Sequence, residues 1–318
     1  MTSFDAIEVV SACLHLSAFA GAVIRDVVAS GQDLDTINKA DVGIAHFDPQ
    51  TVADRRSQQR IVASLRRHYG ESLQIVGEEG HLEPPAAVDI TTPNTALLRH
   101  HTSQQLSATD LIVWIDPLDG TRKFTEKAYD QVSVLIGLSY QGRPIAGVMH
   151  LPFVGTFGTT YYGGPLLDGV FMSTLPSAEP AQWQFAPVPV PPTPSAPQRW
   201  GISETRCAYI ESLLGEDDGR YGRWEKGATG ILMLDVVRGH CDAYARWIPR
   251  TKKWDICVGE AFIVALGGAV TDIFGESYEY GYDETQHGNA TGVFATLDRE
   301  LLATVASAAR ALRSAHKA

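Results

Sequence analysis

A chain of 318 residues with 26 Lys and Arg against 37 Asp and Glu carries a formal net charge of −11, which argues against a protein that grips a nucleic-acid backbone. The length suffices for one large domain or two closely packed ones, and no apolar run approaches the roughly 18 residues of a membrane span. Asp5 and Glu8 stand where a secretory signal would carry basic residues, so the expected location is cytoplasmic, with no nucleic-acid or membrane partner. Cys13, Cys207, Cys241 and Cys257 show neither CxxC nor zinc-like spacing and read as reduced packing thiols.

Taken in order, residues 4–30 place apolar side chains at helical spacing (Ile7, Val10, Leu14, Ile24, Val27) and predict an amphipathic helix. His15 within it lacks companions at ligand spacing and reads as a helix or core histidine. Residues 38–49 are polar and irregular. A second helix is predicted over 55–69, with Asp54 at its start, where a carboxylate is favoured by the helix dipole. Residues 73–77 read as a strand that ends in glycine and runs directly into Glu78-Glu79. The stretch 83–109, with its prolines and His100-His101, reads as an exposed excursion.

Residues 111–115 form an apolar, β-branched run that stops at Asp116-Pro117. In Asp116-Pro117-Leu118-Asp119-Gly120-Thr121, proline fixes its own φ and extends the residue before it, while glycine permits a tight turn. Two acids at a strand end suit a hard cation that takes carboxylate and carbonyl oxygens. Residues 132–138 and 144–150 predict a hairpin, and 156–172 further antiparallel sheet. Seven prolines, at 180, 187, 189, 191, 192, 194 and 197, exclude a helix or central strand over 178–198.

Beyond the prolines, strand 200–203, helices 207–214 and 229–238, and strand 242–247 are predicted. Asp255 reads as the N-cap of an apolar helix that stops at Gly267-Gly268. Strands over 269–273 and 293–296 and a helix over 300–314 complete the chain. The division expected is an N-terminal α+β half (1–175), a proline-rich connection (176–198) and a C-terminal α/β half (199–318).

Each acid has a separate explanation as cap, turn or surface. Together, Glu78-Glu79 after a strand, Asp116-Pro-Leu-Asp119-Gly-Thr121, and Trp254-Asp255 opening a helix resemble the Mg²⁺-dependent, lithium-sensitive phosphatases of the inositol monophosphatase superfamily. Residues 110–126, 145–152, 252–257 and 292–297 resemble the 3'(2'),5'-bisphosphate nucleotidases within it. The resemblance implies a layered α/β/α/β/α sandwich of the inositol monophosphatase and fructose-1,6-bisphosphatase type.

It also implies roles. Glu78, Asp116 and the Leu118 carbonyl would hold one Mg²⁺, and Asp116, Asp119 and Asp255 a second; a third, weaker site would use Glu78. Thr121 and Asp54 match the pair that orients and deprotonates the attacking water, and N–H groups around Gly120 and Thr121 would hold the phosphate. The substrate implied is adenosine 3',5'-bisphosphate, cleaved to AMP and phosphate, by a monomer or homodimer.

Two segments depart from the nucleotidase pattern. Ser203-Glu204-Thr205-Arg206-Cys207-Ala208 lacks a histidine, and Gly227-Ala228-Thr229-Gly230-Ile231-Leu232 lacks a lysine. Substrate contacts are therefore assigned to Gly120, Thr121, Ser203, Thr205, Arg206, Lys226, Gly227 and Arg250, with Arg206, Lys226 and Arg250 supplying the missing positive charge. The departures keep open an inositol polyphosphate 1-phosphatase, or an inositol monophosphatase-like enzyme. An inactive binding protein on the same fold is the reading from another class.

Overall fold

A computed structural model describes residues 2–39, 47–174, 182–192, 198–204, 210, 212–213, 221–247 and 250–315. Strand β1 (Ser3–Asp5) leads into helix α1 (Ala6–Ser30), where the Asp5 carboxylate accepts from the N–H groups of Ile7 and Glu8 and so satisfies donors that the first turn leaves unpaired. Strands β2 (Ile37–Asn38) and β3 (Pro49–Gln50) pair across the segment read as irregular. Helix α2 (Val52–Tyr69) follows at once, with Thr51 as N-cap.

Strands β4 (Gln74–Gly77), β5 (Gln105–Ser107) and β6 (Leu111–Asp119) come next, then the short helix α3 (Thr121–Thr125), in a stretch read as polar connection. The predicted hairpin is β7 (Ser133–Tyr140) and β8 (Arg143–Leu151), continued by β9 (Thr159–Gly164), β10 (Gly169–Ser173) and β11 (Phe185–Pro187). The proline-rich connection thus contributes one strand, at a sheet edge where a missing N–H is tolerated.

In the C-terminal half lie β12 (Gln198–Ser203), β13 (Tyr221–Lys226), α4 (Thr229–Val237), β14 (Ala243–Arg246), α5 (Lys253–Ala265), β15 (Ala269–Thr271), β16 (Val293–Thr296) and α6 (Arg299–Ala315). The helix expected over 207–214 falls mostly outside the described residues. Strand β13 has no counterpart in the sequence reading.

Seven strands make one sheet in the order β11-β10-β9-β8-β7-β6-β4, antiparallel except for the β4–β6 pair. Among the described residues five make a second large sheet, β13-β12-β14-β16-β15, beside the two-stranded pairs β1–β5 and β2–β3. Alternation along the strands explains the layering. Leu111, Val113, Ile115, Val134 and Ile136 face α1 and α2, while Ile112, Trp114, Leu135 and Met149 face α4 and α5. The far side of α4 and α5 meets Tyr244, Val270 and Ala295 of the second sheet, whose outer face buries Trp200, Ile202 and Phe294 with Leu301 and Val305 of α6. This is the α/β/α/β/α sandwich.

Helix α5 lies so close to the first sheet that a Cβ on Gly137 would stand 2.5 Å from Cys257 Sγ, and one on Gly147 would stand 2.9 Å from Val258 Cα. Cys13, Cys241 and Cys257 are buried free thiols. Residues 83–109 are less exposed than expected: Leu98 and Leu106 are buried against α1, and the Leu98 N–H donates to Ser11 Oγ. His15 is structural, its Nδ1 accepting from the Asn94 N–H at 2.9 Å. Contrary to the sequence reading, α1 has the length and mean hydropathy (1.8) of a bilayer span, yet 72% of that window is buried in the protein.

Candidate active site

Strand β6 carries the site at its C-terminal end. Its register against β7 shifts between Asp116, opposite Leu135, and Asp119, opposite Ser133. Three steps on one strand face two on the other, so one extra residue is bulged out. On a regular strand, side chains three apart face opposite sides. The bulge at Pro117-Leu118 brings both acids to one cleft. The Leu118 N–H donates to Asp116 Oδ1 at 3.0 Å, closing the turn locally. Gly120, at φ 85°, then reverses the chain into α3; a Cβ there would meet the Gln131 carbonyl oxygen at 2.4 Å.

Asp54 joins from α2, and its two oxygens do different things. Oδ2 accepts from the Thr51 N–H (2.8 Å) and hydroxyl (2.5 Å), completing a capping box. Oδ1 accepts from the Thr121 hydroxyl at 2.9 Å, which has the Leu118 carbonyl as a second acceptor at 3.0 Å. The cap and the Thr121 contact therefore coexist in one fully buried carboxylate.

Asp119 is held from both halves, its Oδ2 accepting from Ser133 Oγ at 3.2 Å and from the Gly230 N–H in the first turn of α4 at 2.9 Å. Asp255 is not the N-cap of α5. Lys252 caps the helix and Asp255 is the third helical residue, its Oδ2 reaching back to the Lys252 N–H at 2.6 Å. That position turns the carboxylate into the cleft.

The cleft, of roughly 410 Å³, is lined by Glu78, Asp116, Leu118, Asp119, Gly120, Thr121, Ser203, Gly227, Arg250 and Asp255. Lys226 does not reach it. Period-two alternation along β13 puts Lys226 on the face of Trp224, its ammonium 5.8 Å from that ring, in a neighbouring pocket with Asp235 and Arg238. Thr205 and Arg206 lie outside the described residues.

Burial raises the acids clustered around the bulge. Asp54, Asp119 and Asp255 are pushed to about 7, chiefly by desolvation, with neighbouring carboxylates adding repulsion. Burial raises Glu78 as well and lifts Asp116 well above the usual carboxylate range, with Glu78, Asp119 and Asp255 pushing it further. An all-oxygen set of mutually repelling carboxylates, with Asp54, Asp116 and Asp119 buried and Glu78 and Asp255 half-buried, is the environment that a hard divalent cation relieves. Among the described residues no three such side chains have the spacing of a finished metal site. The fit therefore rests on chemistry and burial, with Glu78 instead drawn to the Lys39 ammonium at 2.7 Å.

Five basic residues that the sequence reading did not assign to the site line the cleft, Lys39, Arg122, Lys123, Arg246 and Lys252, and three of them act on its acids, Lys39 first. It also meets Glu79 Oε1 at 3.2 Å, so two adjacent acids that looked like loop surface are tied inward. Arg246 is the second, lowering Asp119 and Asp255 by its charge while its Nη1 donates to Thr229 Oγ1 at 3.3 Å. Lys123 is the third, crossing the cleft to Glu204 at 2.5 Å. A lone basic residue carries no sequence signal that separates these positions from surface.

Comparison with known proteins matches the inositol monophosphatase family over residues 6–314. The chain belongs to the inositol monophosphatase family. It is 32% identical over 302 residues to the 3'(2'),5'-bisphosphate nucleotidase 1 of Rattus norvegicus, covering 91% of each chain. A nucleotidase of the same name from Dictyostelium discoideum is 29% identical over 306 residues, covering 93% of this chain and 94% of the relative. Among solved structures, the inositol monophosphatase of Thermotoga maritima superposes with a TM-score of 0.64 at 19% identity, covering 93% of this chain and 96% of the other. This member of the family is accordingly a phosphatase, a hydrolase of phosphoric monoesters.

Proposed function

We propose that the chain is a Mg²⁺-dependent phosphomonoesterase that takes the 3'-phosphate from adenosine 3',5'-bisphosphate. The observation that carries this reading is the Asp54–Thr121 hydrogen bond at the floor of an acid-lined cleft, in a chain whose relatives include named nucleotidases. Glu78, Asp116, Asp119, Asp255 and the Leu118 carbonyl would hold the ions. When bound, Mg²⁺ supplies Lewis-acid stabilisation of developing negative charge.

The protein's own part follows from the hydrogen bonds. Asp54 accepts the Thr121 hydroxyl proton, which leaves Thr121 Oγ1 with a lone pair aimed at the cleft. A water held there attacks phosphorus as it yields a proton to Thr121 Oγ1, whose own proton passes to Asp54. The phosphorus–O3' bond breaks, and the 3'-oxygen leaves with a proton from solvent. Ser203, Gly227 and Arg250 line the side of the cleft where the rest of the substrate would lie. Lithium is expected to inhibit.

The test is phosphate release from adenosine 3',5'-bisphosphate, inositol 1,4-bisphosphate and inositol 1-phosphate, each with Mg²⁺ and with EDTA. The nucleotide should be preferred and EDTA should abolish turnover. A large preference for either inositol compound overturns the substrate assignment, release in EDTA overturns the metal assignment, and tight binding of any of the three without turnover would leave a binding protein.

A further inference from the structure

Asp255 is anchored through the backbone of the residue three before it, so the position of Thr251-Lys252-Lys253 decides where its carboxylate stands. That tripeptide is held from outside α5 by the segment 287–289. The Lys253 N–H donates to the His287 carbonyl at 2.8 Å, Lys252 bridges Gly288, and the Asn289 N–H donates to the Thr251 carbonyl at 2.9 Å.

The Asn289 side chain completes the clasp. Its Nδ2 donates to the Lys252 carbonyl at 3.0 Å and to Thr251 Oγ1 at 3.2 Å, and its Oδ1 accepts from Lys253 Nζ at 2.8 Å. Asn289, Thr251 and Lys253 are all buried. A primary amide is the one small side chain that gives two donations and takes a third bond within this space. Asn289 does not line the cleft, and no sequence pattern singles it out.

We propose that Asn289 is a positioning residue: it fixes the first turn of α5 and thereby sets the Asp255 carboxylate for the cation. The inference rests on the cation reading above. Loss of its side chain frees the Thr251 hydroxyl and the Lys252 carbonyl, which flank the Thr251–Lys252 peptide whose N–H binds Asp255; that peptide is then left to the Asn289 main-chain N–H, and the carboxylate bonded to it loosens with it. Outer partners of metal ligands typically change affinity by roughly 10- to 100-fold when removed.

The experiment uses the full chain and Mg²⁺ alone. Calorimetric Mg²⁺ binding and the Mg²⁺-induced rise in unfolding temperature are measured for the parent, Asn289→Ala and Asn289→Asp. The aspartate keeps an oxygen for Lys253 and loses both donations. Both variants should need about tenfold more Mg²⁺ for half-saturation, with kcat at saturating Mg²⁺ within a few-fold of the parent. Tyr280→Phe, which loses a bond to Glu260 on the same helix, serves as the control: it should lower the unfolding temperature in EDTA without moving the Mg²⁺ requirement. Thr251→Val removes a single bond of the clasp and keeps the test open should the alanine variant not fold. Equal Mg²⁺ half-saturation in the parent and the clasp variants overturns the proposal; a parent that binds no Mg²⁺ overturns the cation reading instead.

Discussion

Replacing Asp54 by Asn should do opposite things to activity and to stability. With two donors at the Oδ2 position, the amide oxygen takes that place and keeps the capping box. The amide nitrogen then faces Thr121, whose hydroxyl turns to its other acceptor, the Leu118 carbonyl at 3.0 Å. Every group that the carboxylate bonds thus keeps a partner. Raising a fully buried carboxyl from 3.8 to about 7 means that above pH 7 folding must bury a carboxylate already ionised in the unfolded chain, at a cost. At roughly 1.4 kcal/mol per pH unit this is on the order of 4 kcal/mol in the metal-free chain. The cost fades as pH falls through the folded value, because an acid raised on folding favours the native state when protonated. Hydrogen bonds to an amide are weaker than those to a carboxylate, which reduces the expected gain to about 1–3 kcal/mol. Urea unfolding in EDTA should therefore show the Asn variant more stable at pH 8, with the gap closing by about pH 4. Phosphate release at saturating Mg²⁺ should fall by about 10²- to 10⁴-fold, the usual worth of a general base. A variant that unfolds earlier than the parent at pH 8 refutes the burial argument, and one that keeps activity within about tenfold refutes the role of Asp54 as base.

Three more outcomes follow from the geometry. Gly230→Ala would put a Cβ 2.7 Å from Asp119 Oδ2, so the Mg²⁺ concentration for half-maximal activity should rise, while stability in EDTA holds because alanine favours the helix by about 1 kcal/mol; an unchanged Mg²⁺ requirement would show that Asp119 tolerates displacement. His150, fully buried with Nδ1 2.8 Å from Thr160 Oγ1, is depressed by burial to about 3, so it is neutral when folded and takes a proton on unfolding below about pH 6.5. Its stability contribution is complete above that pH and is lost as pH falls toward the folded value, by about 3 kcal/mol at pH 4, and urea midpoints of His150→Asn should show a flatter acid limb than the parent; parallel pH profiles would contradict this. Lys226→Ala should leave kcat/KM within about twofold, because its ammonium lies outside the cleft. A tenfold loss would place the second anionic group of the substrate in the neighbouring pocket.

Asp116 and Asp119 were legible as a pair because a strand that ends in Asp-Pro-Leu-Asp-Gly-Thr must turn sharply. Glu78 and Asp255, each explicable alone as surface or cap, joined them only through the family resemblance. The layering came only from the family resemblance, whereas individual strands and helices were legible from their periodicity. Strand β13 was not, since Tyr221-Gly-Arg-Trp-Glu-Lys226 is a polar strand at a sheet edge with only a weak apolar alternation. Missing that strand misplaced Lys226, whose direction depends entirely on the register of alternation. Lys39, Lys123 and Arg246 were invisible for another reason: their partners lie on other elements, and a single charge has no period. Asp54 shows the limit of choosing between a cap and a cleft residue from sequence, since one oxygen caps α2 and the other bonds Thr121.

Helix α1 carries a consequence for synthesis. Its Arg25 donates to the Pro152 carbonyl, 127 positions further along the chain, and while α2 covers part of its apolar face, β7 and β8, made after residue 110, cover the rest. At about 5–20 residues per second, the ribosome leaves a stretch apolar enough to enter a bilayer without its complete native cover for several seconds. The N-terminal helix of this enzyme is thus buried in two instalments, first by the helix that follows it and only later by the sheet.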